Sequence, residues 1–396
     1  MTVSTRPLPS RLVSLDVFRG ATMIFMASEI LRIPQVARRF PDSSVARFLA
    51  SALDHRAWVG CAPWDLIQPA FMFMVGVSLP YSIARRLAKG DSFATRLGHS
   101  IYRALLLIVL GIFLRSQARH QTYFTFEDVL TQIGLGYVLL FLLAWTKPRV
   151  QWIGVGIMLI GYWAAFALYP LPAQGFDTSV VGVPQDWPHH LTGFAAHWDK
   201  NTNLANRVDQ WFLNLFPRER PFVYNGGGYL TLNFIPSLAT MLFGLLAGEM
   251  LRSERSGQEK VRALLAYGAG GVMLGAALHL LGICPLVKRI WTPSWAIYSS
   301  GWVTLILAGL YDVIDLRGYR RWTTPFLVVG MNSIAMYVLV HVCADYIINA
   351  LQIHLGRSVF EAAGRAFAPI TLGATTLVIM WLMLFWMYRR QIFLRI

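Results

Sequence analysis

The most chemically loaded stretch of the chain runs from Asp54 to Gln68: Asp54-His55-Arg56-Ala57-Trp58-Val59-Gly60-Cys61-Ala62-Pro63-Trp64-Asp65-Leu66-Ile67-Gln68. It sets one histidine among three other charged groups, two tryptophans and a glutamine, and leads directly into an apolar run ending at Pro80. Histidine is the side chain that gains or loses a proton near neutrality. A nearby carboxylate can orient it and steady its charged form. His55 is therefore the candidate general base or nucleophile, with Asp54 and Asp65 as candidates to hold it. Trp58 and Gln68 are candidate substrate contacts. The plainer reading stays open: Asp65 and Gln68, at i and i+3, could cap a helix and bond between helices, because polar groups near a membrane core must find partners.

Other segments carry weaker signals. Asp16 and Arg19 stand at i and i+3 and share a helix face. They fit either an interfacial ion pair or an arginine beside a donor phosphate. Lys288-Arg289-Ile290-Trp291-Thr292-Pro293-Ser294-Trp295 combines donors with indoles, so Trp291 and Ser294 are candidate substrate contacts or an aromatic belt ahead of a helix. Gly330-Met331-Asn332-Ser333 offers small residues for close helix contact and an amide able to bond across helices. Tyr224-Asn225-Gly226-Gly227-Gly228 lacks the strand and the Gly-Lys-Ser/Thr of a phosphate loop. His189, His190 and His197 lack metal-ligand spacing, so no metal is expected. Cys61, Cys284 and Cys343 read as small helix-packing residues, with a Cys61–Cys284 disulfide conceivable if both face one side.

The elements that must position these groups are transmembrane helices. Of 396 residues, 56% are hydrophobic and 14% charged, against about a quarter charged in soluble domains. Apolar runs near 20 residues fit helices crossing ~30 Å of hydrocarbon, and the alternation of a membrane β-barrel is absent. Ten spans are expected, near 13–33, 64–84, 101–119, 129–146, 150–169, 229–250, 263–284, 294–314, 325–348 and 369–388. The first contains Asp16 and Arg19 and no small-residue cleavage site closes it, so it is expected to remain as a span. The net charge of +15 lies largely in short loops, including Arg6, Arg11, Arg85, Arg86, Lys89, Arg252, Arg255 and Arg395. That bias puts both termini in the cytoplasm. No basic stripe with interleaved aromatics points to nucleic acid. The chain reads as one all-α polytopic membrane domain over 1–396, with a long non-cytoplasmic loop at about 170–228 folded as a cap.

Four segments, in order, resemble the heparan-alpha-glucosaminide N-acetyltransferase family and its bacterial relatives. They are Arg11-Leu-Val-Ser-Leu-Asp-Val-Phe-Arg-Gly20, His55 to Gly60 with Trp64 to Gly76, Trp291-Thr-Pro-Ser-Trp295, and Gly330-Met-Asn-Ser-Ile-Ala-Met-Tyr337. The resemblance implies a transmembrane acetyltransferase in a bacterial cytoplasmic membrane, lacking the family's large soluble N-terminal region. Acetyl-CoA would donate from the cytoplasm and a sugar or glycan amine or hydroxyl would accept on the far side. The family's catalytic histidine falls on His55. Arg19, with Asp16 and Asn332, would serve the CoA donor. The family's asparagine near the end of the first span is missing from Met26-Ala-Ser-Glu29-Ile30, where Glu29 would substitute and contact the acceptor.

Two readings remain. In the first, the chain transfers an acetyl group, either directly or through acetyl-His55, working among membrane lipids as a monomer or homodimer. In the second, it is a transporter or lipid- or glycan-handling protein whose intramembrane polar residues line a path. No inverted repeat or paired broken helix supports the second. Neither fixes the acceptor or the acyl chain length.

Overall fold

The structure, a computed structural model, describes residues 12–394. Residues 1–11 and 395–396 lie outside the described residues, and with them Arg6, Arg11 and Arg395 of the orientation argument.

The helices are α1 (Val13–Ala27), α2 (Ile33–Ala37), α3 (Ser44–Ala52), α4 (Ile67–Ala88), α5 (Phe93–Arg115), α6 (Val129–Leu143), α7 (Pro148–Ala167), α8 (Leu204–Phe212), α9 (Phe234–Leu251), α10 (Gly257–Leu280), α11 (Pro293–Leu310), α12 (Thr324–Met331), α13 (Ser333–Leu355), α14 (Arg357–Phe360) and α15 (Ala368–Arg389). Among the described residues there is no strand, only an isolated antiparallel bridge between Val59 and Val287. Among the described residues eight segments, built on α4, α5, α7, α9, α10, α11, α13 and α15, are long and apolar enough to cross a bilayer. Every expected span carries a helix, but two fall short of that standard. The helix α6 has 15 residues, and so does α1, which carries Asp16 and Arg19. The expected span at 325–348 is broken: Asn332, at φ −127° and ψ 39°, leaves the helical region and separates α12 from α13.

These elements gather into two compact units. The first comprises 57–60 and 72–308 among the described residues. Its most enclosed helix is α9, which lies close against α4. A Cβ at Gly76 would stand 1.9 Å from the Met241 carbonyl oxygen, and one at Gly244 would stand 2.0 Å from that of Phe73. Such contact lets the backbones approach where lipid supplies no hydrophobic driving force between helices. The 170–228 segment contains short helical elements. It forms 3₁₀ turns at Thr178–Val181 and Gly193–Trp198, then α8. Trp198 and Ala205 join Tyr162 and Phe166 of α7 in a buried cluster. Apolar side chains such as Ile157, Ile160 and Met273 stay exposed on α7 and α10, as lipid-facing positions require.

The second unit comprises 12–56, 61–71 and 309–394 among the described residues. Its axis is the crossing of α1 with α12. A Cβ at Gly20 would lie 1.8 Å from the Phe326 carbonyl oxygen, and one at Gly330 would lie 1.9 Å from that of Asp16. Both positions exclude any larger residue. The N-terminus of α1 has no side-chain cap of its own. Instead Val13 and Ser14 donate their N–H groups to the Asp315 carboxylate at 3.2 and 3.0 Å. That carboxylate satisfies orphan donors and faces the positive end of the helix dipole. Asp315 sits in a π-helical segment, Tyr311–Leu316, continuing α11.

Candidate active site

The segment singled out first divides between the units. Residues 57–60 belong to the first, and its remainder to about Phe71 belongs to the second. In the second unit, Pro63–Leu66 forms a 3₁₀ turn that enters α4. Asp65 is only 1% exposed and is surrounded by donors. Its Oδ2 accepts from the N–H of Ala62 at 3.0 Å and of Arg56 at 3.3 Å. Its Oδ1 meets Nδ1 of His55 at 2.8 Å. With two backbone N–H groups donating to it, the Asp65 side chain acts here as an acceptor. His55 Nδ1 therefore carries the hydrogen, which makes Nε2 the basic atom of the neutral ring. Trp64, buried behind the histidine, has its ring centre 6.5 Å from that of His55.

Asp54 plays a different part from Asp65. Its Oδ1 accepts the backbone N–H of His55 at 2.8 Å, and its other oxygen forms an ion pair with Arg38. Thus Asp65 orients the imidazole, whereas Asp54 fixes the main chain that bears it.

His55, Asp54 and Trp64 line an open pocket with Ser28, Glu29, Arg32, Gln35 and Arg38, about 560 Å³ of empty space, part of it continuous with solvent. Glu29 lies in a 3₁₀ turn, Ser28–Leu31, directly after α1. Arg32 follows in the left-handed region, φ 52° and ψ 33°, at the start of α2. That conformation costs a non-glycine residue on the order of 1 kcal/mol and tends to persist at functional sites. Arg32 and Arg38 are pocket residues that the sequence did not single out.

Several expected contacts fall elsewhere. Trp58 is buried in the first unit and donates its indole N–H to the Trp198 carbonyl at 3.1 Å. Trp291 is buried and donates to Thr240 Oγ1 at 3.2 Å. Ser294, fully buried, donates to the Pro285 carbonyl at 2.7 Å. All three are core residues of the first unit, committed to their own chain. Their aromatic and hydroxyl chemistry suggested sugar contacts; in the structure each is buried and hydrogen-bonded within the first unit. Gln68 lies half-buried in the first turn of α4. Arg19 pairs with Asp16 at 3.3 Å on α1. The Asn332 amide is engaged at both ends, donating to the Ile392 carbonyl at 2.9 Å and accepting from the Leu394 N–H at 3.0 Å.

The loop histidines are also accounted for. His190 Nδ1 meets Asp199 at 2.8 Å and its Nε2 meets the Pro184 carbonyl at 2.9 Å. The hydrogen bond to Asp199 raises its pKa. His197 bonds to the Tyr169 carbonyl. Among the described residues no group of His, Cys, Asp and Glu could hold a metal ion. The three cysteines are free thiols, so Cys61 and Cys284 are not joined.

One buried acid escaped the sequence reading. Asp209 on α8 is 1% exposed, accepts the Thr231 N–H at 2.9 Å, and is pushed up to about 7, chiefly by burial.

Eight membrane-length helices and apolar outer faces define a polytopic all-α membrane protein, and the second unit adds a carboxylate-oriented histidine in a pocket. Sequence comparison identifies its relatives. The chain is 25% identical to the heparan-alpha-glucosaminide N-acetyltransferase of Mus musculus over 382 residues, 86% of this chain and 55% of that protein. It is 26% identical to that of Homo sapiens over 385 residues, 86% of this chain and 54% of that protein. The chain thus spans about half the length of the curated relatives it matches, and the resemblance read from its four motifs extends over most of its own length. No protein-family model matches it.

Proposed function

We propose that the chain is a membrane-embedded acetyltransferase that moves an acetyl group from acetyl-CoA to an amine or hydroxyl of a sugar or glycan. The observation that carries this reading is the His55–Asp65 pair, 2.8 Å apart, at a pocket that also holds Glu29. Its similarity to N-acetyltransferases supports the choice of reaction.

In the direct route, His55 Nε2 takes a proton from the acceptor nitrogen or oxygen as that atom attacks the thioester carbonyl carbon. The new C–N or C–O bond forms, the C–S bond breaks, and the CoA thiolate leaves with the electron pair. The His55 proton then returns to the thiolate or to solvent. In the two-step route Nε2 itself attacks the thioester carbonyl and the CoA thiolate leaves; the acceptor then attacks acetyl-His55, the bond from acetyl carbon to Nε2 breaks, and the freed imidazole takes the acceptor's proton, with ping-pong kinetics. Asp65 stabilises the imidazolium in the direct route and keeps Nε2 nucleophilic in the other.

On the orientation expected from loop charge, Arg19 lies toward the cytoplasmic end of α1 and takes part of the phosphate charge of CoA. Glu29, ten residues on and about 15 Å along the helical path, serves the acceptor. One helix thereby marks both ends of the transfer. A bacterial cytoplasmic membrane suits this arrangement, with CoA inside and the acceptor outside.

His55→Ala in proteoliposomes supplied with acetyl-CoA and glucosamine tests the proposal. Loss of a positioned base costs about 10²–10⁴-fold in rate, with acetyl-CoA still raising the melting temperature. Near-normal transfer by the variant sinks the mechanism.

A further inference from the structure

We propose that the His55 pocket is built for a zwitterionic acceptor, with an amine received by Glu29 and an anionic group beside it received by Arg32. This rests on the acceptor-site reading above and adds the substrate class.

The argument begins with the charges on the pocket wall. Glu29, Arg32, Arg38 and Asp54 all line it. Arg38 and Asp54 form an ion pair and cancel. Glu29 and Arg32 stand three residues apart, a spacing that joins opposite charges on a continuous helix. They form no ion pair with each other or with another described residue. The backbone explains the separation. The 3₁₀ turn ends at Leu31, and Arg32 swings into the left-handed region, so the helical path that would stack the two side chains is broken. What remains is one carboxylate and one guanidinium, both uncompensated, on the wall of a single pocket that also carries the candidate base.

A ligand answers such a wall with the same two charges reversed. A neutral amino sugar, as its ammonium ion, satisfies Glu29 and leaves Arg32 without a partner. A purely anionic ligand satisfies Arg32 and is repelled by Glu29. A molecule with an ammonium and an anion on neighbouring carbons or branches satisfies both, and its amine is set beside His55 for deprotonation. The flat fork of a guanidinium suits a carboxylate or a phosphate.

The test uses the full chain in proteoliposomes with acetyl-CoA and three amines: muramic acid, its methyl ester, and glucosamine 6-phosphate. Muramic acid and its ester differ in one negative charge. A charge-assisted contact predicts a KM for the acid about tenfold below that of the ester, with similar kcat. A matching gain for glucosamine 6-phosphate supports a general anion site, and a gain confined to muramic acid supports a carboxylate site. Arg32→Gly, a substitution that the left-handed backbone accepts, removes the preference while the melting temperature holds. Arg39→Ala, outside the pocket, keeps it. Equal KM values for acid and ester, or a preference that survives Arg32→Gly, overturn the inference. Binding of muramic acid and its ester, read by thermal stabilisation without acetyl-CoA, separates this from the reaction itself. If no acceptor is acetylated yet the acid stabilises the wild type and not Arg32→Gly, the transferase reading falls and the zwitterion site stands. If neither protein distinguishes acid from ester, the site falls.

Discussion

His55 and His190 hold their carboxylates alike, through Nδ1 at 2.8 Å, yet they sit in surroundings suited to opposite ends. His190, in the first unit, has acceptors on both nitrogens, Asp199 and the Pro184 carbonyl. Both nitrogens must therefore carry hydrogen, so the ring is favoured as the cation and acts as a staple within the 170–228 loop. His55, in the second unit, bonds a buried aspartate and stands at the wall of a pocket with Glu29, Arg32 and Trp64. A His–Asp pair is thus poor evidence of chemistry until the second nitrogen and its surroundings are known. The carboxylate decides the tautomer, and the pocket decides whether the remaining lone pair has anything to act on.

Changing the carboxylates gives the largest contrast. Asp65→Asn leaves the shape intact but allows the wrong tautomer of His55, so kcat falls by about 10²–10⁴-fold. Asp199→Asn changes the melting temperature and leaves kcat within a few-fold. Equal loss of rate from the two would make the two His–Asp pairs functionally equivalent.

Asp209 sharpens the comparison from the stability side, because it too is a buried acid, but one with a raised pKa. Its folded value of about 7 lies above the unfolded 3.8, so the folded state binds the proton more tightly. The stability it contributes is present below pH ~4 and is lost as the pH rises toward and through 7. The span corresponds to about 4 kcal/mol. Asp209→Asn should flatten the pH dependence of unfolding over that window and make the protein more stable than wild type at pH 8. Thermal unfolding across pH 4–8 checks both.

A smaller effect follows for His190. Its pKa is raised, so its contribution is complete below pH ~6.5 and fades as the pH climbs through the raised value. His190→Ala should remove that slope without changing transfer. The smallest effect belongs to the exposed Arg38–Asp54 pair. Arg38→Met should cost less than about 1 kcal/mol in stability and change KM more than kcat.

Much of this was legible in the sequence, for reasons that differ by residue. Hydropathy located a helix at each expected span, because the bilayer imposes length and apolarity together. It overstated α1 and α6, whose helices are shorter than the apolar stretches that predicted them. His55 and Asp65 were legible because polar groups crowded before a hydrophobic run are conspicuous. Arg32 and Arg38 were not, since their place at the pocket depends on the left-handed turn at Arg32 and the short α2 that follows. Trp58, Trp291 and Ser294 are ambiguous in the sequence because an interfacial sugar platform and a buried core use the same residue types. Only burial separates them. The break at Asn332 hid inside a continuous apolar run, where an asparagine reads equally well as a bond between helices. Asp209 was concealed by the polar composition of its loop.

The cap of α1 has a consequence in time. Ser14 waits for Asp315, 301 residues later, and Gly20 and Gly330 share the same delay. At synthesis rates of about 5–20 residues per second, roughly 15–60 s separate the appearance of the first helix from that of its partner. During that interval a short helix bearing Asp16 and Arg19 has neither its N-terminal carboxylate nor its glycine-lined neighbour. The nascent chain must therefore rely on the insertion machinery, or on temporary contacts with helices made in the interval, to keep that segment in place until the pocket can be assembled.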